Sequence, residues 1–223
     1  MLSEAALLAA MTFSFTYGGR PSDELLKNCA VDRVERPLSS NRIQRTDTYT
    51  DKPTGLVIRR ESVEYTGWNT IEWTLHFTNT GKSDTPIIEN IQALDARFEQ
   101  PVKGDFTLHH HTGSPYTPAD FQPFATRIPA KSELVISTSG GRSSNSDFPY
   151  FNIEWPGGGV IAGVGWPGQW AARFVREGNT RIRVRAGQEL THLILHPGEE
   201  IRTPLIVLQS WQGDRIDAQN AWR

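Results

Sequence analysis

The sequence predicts an all-β fold, a large two-sheet antiparallel β-sandwich carrying one or two short helices. Three observations predict it. Ile71, Trp73, Leu75 and Phe77 alternate strictly with Glu72, Thr74, His76 and Thr78, the period of a strand with one buried and one wet face. Tyr150–Trp155 and residues 160–166 are runs of aromatic and branched side chains flanking Pro156-Gly157-Gly158-Gly159, which reads as a hairpin near the middle of a sheet. Roughly ten such runs are spaced by turn residues along the chain with almost no helical periodicity, the pattern of a sandwich.

Taken in order, residues 12–19 alternate as an edge strand closed by Gly18-Gly19. Residues 21–26 read as a short helix with Ser22 as its cap and Asp23 and Glu24 in its first turn. Residues 42–49 are polar and β-prone, and residues 50–55 are a strong turn signal. Leu56–Tyr65 and residues 71–78 form a hairpin across residues 66–69, and residues 87–98 are the next extended run. Residues 99–131 carry prolines, glycines and His109-His110-His111 without sustained periodicity, and a loop of that length is usually kept for a site or an interface. Residues 134–137, 180–184, 190–195 and 201–208 supply further strands. Asp214 is placed to cap a helix over residues 216–222. The expected organisation is one sandwich domain over residues 1–213, with residues 214–223 beginning a helix that links it to a further domain.

Composition excludes several classes. The 223 residues carry 23 basic and 25 acidic side chains, a net charge of -2, so there is no electrostatic footprint for nucleic acid or an anionic membrane. The single cysteine, Cys29, cannot form an internal disulfide. The apolar run at residues 5–11 follows Glu4, where an export signal would carry basic residues, and no stretch reaches the roughly 18 apolar residues needed to cross a bilayer. A cytoplasmic protein is expected.

The blocks GGRSSNSDFPYFNIEW, GGGVIAGVGWPGQWAARF, LHPGEEIRTPLIVL and WQGDRIDAQNAWR, in that order, resemble the amino-terminal β-sandwich domain of the α-galactosidases of glycoside hydrolase family 36. The matching blocks span residues 13–223. The resemblance implies a supersandwich that packs on a catalytic (β/α)8 barrel beginning after the helix at residue 214. In that family both catalytic aspartates belong to the barrel, so no catalytic residue is assigned here and the chain alone is expected not to be an enzyme. The sandwich of the family also takes part in homo-oligomer contacts and can reach a loop into the sugar pocket. The matching loop is residues 46–55, which makes Asp47, Tyr49 and Asp51 candidate contacts for an α-galactoside. No cofactor is implied.

Other chemistry was weighed against the residues. Adjacent histidines on a strand face opposite ways, so His109-His110-His111 converge poorly on a metal, and no metal site is assigned. Trp73 and Trp155 sit on alternating strand faces and read as core, whereas Trp68, Trp166 and Trp170 lie at strand ends or turns where an indole can stack on a sugar; Trp68 is the fourth candidate substrate contact. The acids Asp47, Asp51, Asp105, Asp120 and Asp147 are not paired by spacing, and glycoside hydrolysis needs two carboxylates about 5 to 10 Å apart. Nucleophile-elbow, phosphate-loop and dinucleotide motifs are missing. Two further readings stand beside the accessory domain, a stand-alone carbohydrate-binding module and a purely structural docking domain.

Overall fold

The computed structural model describes residues 12–100 and 103–223; the apolar run at residues 5–11 lies outside them. One layer is a ten-stranded antiparallel sheet. Its order runs β10 (Pro123–Ile128), β9 (Phe106–His111), β12 (Tyr150–Trp155), β13 (Gly158–Gly165), β18 (Leu205–Gln212), β6 (Thr70–Asn79), β5 (Leu56–Tyr65), β4 (Arg42–Asp51) and β3 (Ala30–Ser39), with β17 (Glu200–Arg202) also paired to β6. Facing it are two four-stranded sheets. The first is ordered β16 (His192–Leu193), β7 (Ile88–Gln92), β1 (Ser14–Tyr17), β2 (Arg20–Pro21), and the second β11 (Glu133–Ser137), β14 (Trp170–Arg176), β15 (Arg181–Gln188), β8 (Leu94–Glu99). Only Ala93 separates β7 from β8, so the small sheets follow one another in a single layer. Among the described residues two helices complete the fold, α1 (Ser22–Leu26) and α2 (Arg215–Trp222).

The period-2 pattern of β6 does what it predicts. Ile71, Trp73, Leu75 and Phe77 are buried, and the Trp73 indole also donates to the Ala93 carbonyl at 2.9 Å, which fixes the large sheet against the junction of the small ones. Aromatic side chains fill the gap between layers. Phe15 meets Phe77 edge-on at 5.1 Å, Phe151 meets Phe174 at 5.0 Å, and Trp155 stacks beside Phe98. Full burial of such a side chain stabilises the fold by about 1.5 to 3 kcal/mol, so this one continuous core accounts for the sandwich.

The central hairpin pairs as expected, Tyr150 with Gly163 through Trp155 with Gly158, but its turn is the two residues Pro156-Gly157. Gly158 and Gly159 belong to β13. Gly159 is required there by close approach, because a Cβ would lie 2.5 Å from Cζ2 of Trp211 and against the Ile153 carbonyl.

Several expectations are corrected. Residues 46–51, part of the loop implied by the family resemblance, continue the β-prone run from residue 42 as strand β4, paired on both sides by β3 and β5. Residues 99–131 contain the β9–β10 hairpin; the buried positions Phe106 and Leu108 do alternate, but the histidines after them and the exposed start of β10 hide the period. Strand β3 was missed altogether, since all ten of its residues are exposed. β1 lies between β7 and β2 rather than at an edge. Ser22 does not cap α1; its hydroxyl is buried and accepts from the Phe15 amide at 3.2 Å, and Pro21 holds the cap position. The helix α2 does start as read, with the Asp214 carboxylate accepting from the Ile216 amide at 2.7 Å and the Asp217 amide at 3.3 Å.

Candidate functional site

Asp47, Tyr49 and Asp51 alternate along β4 and share its core-side face. Asp47 is 7% exposed and receives the Arg60 guanidinium, Nε at 3.2 Å and Nη2 at 2.5 Å, with Arg33 at 3.4 Å on its other side. Tyr49 packs edge-on against Phe13, ring centres 5.8 Å apart. Asp51 is 6% exposed and builds the β4–β5 turn: its carboxylate accepts from the Thr54 amide at 3.2 Å and from the Thr54 hydroxyl, which in turn accepts from the Tyr17 hydroxyl at 2.8 Å. Trp68 is 55% exposed in the β5–β6 turn, at the opposite end of a ten-residue strand. At about 3.3 Å per residue that separation is roughly 30 Å, so Trp68 and Asp51 do not form one site within a chain.

The β4–β5 turn is clasped to the loop after β6. Gly55, at a φ of +78°, lies so close to Gly81 that a Cβ would come within 2.5 Å of its backbone, and the Thr80 amide donates to the Gly55 carbonyl at 2.9 Å. Between the two loops lies an open recess of 690 Å³ offering Thr50, Lys52, Thr80, Lys82 and Asp84. Asp84 also holds His196 at 2.8 Å, and that hydrogen bond, followed by the charges of Asp84 and Glu199, raises the imidazole pKa. This is a polar, preformed surface suited to hydroxyl-bearing ligands.

The outer face of the ten-stranded sheet carries a second polar cluster that sequence reasoning did not assemble. His76 on β6 bonds Glu200 on β17 at 2.9 Å, Glu200 also accepts from Thr78 at 2.8 Å, and Glu61 pairs with Arg59 at 3.0 Å on β5. The hydrogen bonds from Thr78 and His76 hold Glu200 below its ordinary pKa. A shallow groove of 250 Å³ runs beside it past Glu72, Thr74 and Arg202, the last poised over the Trp166 ring at 5.5 Å. The alternation of β6 already placed Glu72, Thr74 and His76 on the wet face; Glu61 and Glu200 come from strands that only the fold brings alongside.

Farther along the same face, α2 lies on β13 and β18. Ala218 packs with Ile161 and Trp211, Trp222 meets Tyr150 at 5.4 Å, and Glu154 joins His109 at 2.6 Å with Arg215 at 3.7 Å. His110 points to the other face of β9, toward Thr126 at 3.0 Å, where burial lowers its pKa against the opposing charge of Asp147. His111 lies beside the Tyr150 ring, centres 6.4 Å apart, so the three histidines serve separate contacts. Of the three tryptophans at strand ends or turns, Trp68 is the exposed one; Trp170 is fully buried with its indole donating to the Ser143 carbonyl at 2.7 Å, and Trp166 is half-buried.

Fold and surface together define a large antiparallel β-sandwich whose ten-stranded sheet has a polar outer face, on which α2 lies. Among solved structures it is similar to the α-galactosidase from Lactobacillus brevis, with a TM-score of 0.68 and 13% identity over 90% of this chain and 29% of that one. It is also similar to the family 36 α-galactosidase AgaA from Geobacillus stearothermophilus, at a TM-score of 0.62 and 16% identity over 90% and 30% of the two chains, and to the galactosidase domain of the α-galactosidase-sucrose kinase AgaSK, at 0.61 and 14% over 89% and 29%. At such identities the likeness is one of fold. The chain spans less than a third of the length of these α-galactosidase chains. No family model matches the sequence, and no curated protein does.

Proposed function

We propose that this chain is the accessory β-sandwich of a cytoplasmic, family 36-like α-galactosidase, packed on a catalytic (β/α)8 barrel and helping to shape the sugar pocket or the oligomer. One observation carries the reading: the same fold accounts for 90% of this chain and 29 to 30% of α-galactosidase chains, so those chains hold this sandwich together with a much larger part. The sequence blocks that resemble the family point the same way. The outer face bearing α2 is the side assigned to the barrel, because its apolar dock for α2 adjoins the His109, Glu154 and Arg215 cluster. The β4–β5 turn is assigned to the α-galactoside, with Asp51 holding its shape, and Asp47 and Tyr49 hold the strand that carries it. Trp68, at the other end of that hairpin, is assigned to a stacking contact of its own.

The test is a pair of activity measurements. The isolated chain is expected to show no turnover of p-nitrophenyl α-galactoside, while the longer protein that contains it hydrolyses that substrate. Turnover by the isolated chain that survives re-purification and is lost on mutating one of its acids would overturn the reading, as would a longer protein inactive on every α-galactoside tried. Tryptophan fluorescence of the isolated chain titrated with galactose, melibiose and raffinose separates the alternatives, since a saturable change would favour a carbohydrate-binding module.

A further inference from the structure

The outer face of the second small sheet is crowded with arginine. Arg183 and Arg185 are two residues apart on β15 and share that face; Arg173 on β14 stands directly across from Arg185, and Arg97 on β8 directly across from Arg183. All four line one groove of 970 Å³, closed on its far side by β1 and α1. Like charges set opposite one another across a sheet oppose folding, so the arrangement needs counter-charges. Three of the four have one. Arg183 grips Asp95 with two bonds of 2.6 and 2.7 Å, Arg97 reaches Glu177 at 2.8 Å, and Arg173 pairs with Glu133.

Among the described residues Arg185 has no such partner. Its Nε is wholly buried and makes no hydrogen bond among the described residues. Asp95 lies opposite it in register but is committed to Arg183 and to the Ser14 hydroxyl at 2.6 Å. A buried donor left open is costly, more so when it is charged, and such groups are completed by an ion or water. The remaining carboxylate at the rim, Asp23, faces Lys27 at 3.5 Å. With the other charges paired, Arg185 is left, among the described residues, as the cation facing the groove, ringed by further guanidinium donors. The planar guanidinium fork matches the paired oxygens of carboxylate and phosphate, and the groove is of the size that takes a small molecule.

We propose that this groove binds a small molecule through an oxyanion, carboxylate or phosphate, with Arg185 as the central contact and Arg173 and Arg183 beside it. The site is independent of the galactoside reading and lies on the other layer of the sandwich.

The experiment is a thermal unfolding series on the full chain in inorganic phosphate, in acetate, and in sodium chloride at matched ionic strength. A saturable rise in Tm in phosphate or acetate beyond that in chloride is expected, and the anion giving the larger rise is the one the groove prefers. The variant Arg185→Gln should keep or exceed the parent Tm in chloride, because it removes an uncompensated cation, and should lose the anion-dependent rise. Arg185→Lys retains the charge without the fork and should weaken apparent affinity about tenfold or more, the value of one charge-assisted hydrogen bond; it decides the matter if the glutamine variant does not fold. No rise beyond chloride, or an equal rise in parent and variants, would overturn the proposal.

Discussion

Replacing Asp51 by alanine tests whether the β4–β5 turn is held as described. The carboxylate is 6% exposed and accepts two hydrogen bonds from Thr54, one from its amide and one from its hydroxyl, which is itself tied to Tyr17. A hydrogen bond to a charged group contributes about 1.5 to 3 kcal/mol, and the Thr54 amide sits near enough to the surface to regain water, so the expected loss is about 2 kcal/mol rather than the full sum. With a urea dependence of about 2 kcal/mol per molar, the unfolding midpoint followed by tryptophan fluorescence should fall by about 1 M. Asp51→Asn keeps an acceptor for Thr54 and should recover much of the loss. Thr54→Val should be strongly non-additive with Asp51→Ala, since both remove the same bonds. On the proposed function, in which Asp51 holds the shape of the turn that meets the sugar, the same alanine variant in the longer protein should weaken α-galactoside binding by about tenfold to a hundredfold. A destabilisation under about 0.5 kcal/mol, the range of an ordinary surface change, would refute the claim that this carboxylate builds the turn.

Other expectations follow from named contacts. Gly159→Ala should destabilise by about 1 to 3 kcal/mol in the same urea assay, because the added methyl meets Cζ2 of Trp211 at 2.5 Å, and it should loosen α2, which rests on that indole. Burial pushes the Asp95 carboxyl up, but hydrogen bonds from Arg183 and Ser14, aided by the charges of Arg183 and Arg185, hold it below the ordinary carboxylate pKa. Its contribution is therefore complete above the unfolded value of about 3.9 and is lost as pH falls through the lower folded value; Asp95→Asn should flatten that part of the acid limb in a pH series of unfolding midpoints. Trp68→Ala should leave stability within about 0.5 kcal/mol while removing an emission exposed to soluble quenchers.

Where the sequence could be read, one physical rule dominated locally. The strict alternation of β6 and the paired aromatic runs of β12 and β13 each bury one face against the opposing layer, and burial writes itself into hydrophobic periodicity. The Asp214 cap was legible for the same reason, since its partners are two and three residues away. Strand β3 was illegible because both its faces are wet, so nothing required it to alternate. Residues 42–49 were legible as β-prone and only the family resemblance drew 46–51 into a loop; what could not be read was that Asp47 and Asp51 are satisfied by Arg33, Arg60 and Thr54, partners that become neighbours only after pairing. The recess beside Gly55 and the groove around Arg185 are likewise products of register. The sequence does show arginine at 181, 183 and 185 alternating with Ile182 and Val184, a pattern that marks one charged face; what it cannot show is that Arg97 and Arg173 arrive opposite.

The charges on the exposed end of the large sheet also decide which pairing the chain adopts. Across β3 and β4, Arg33 stands opposite Asp47 and Glu35 opposite Arg45, while Asp47 continues to Arg60 and Arg45 to Glu64 on β5. Sliding β3 by one residue would turn these side chains to the wrong face. Sliding it by two sets Glu35 against Asp47 in one direction and Arg33 against Arg45 in the other, so either slip exchanges attraction for repulsion. No core covers this strand to hold its alignment, and every one of its residues meets solvent. Here the sign of each charge takes the role that greasy side chains play elsewhere in the sandwich: it tells an uncovered strand where to stop.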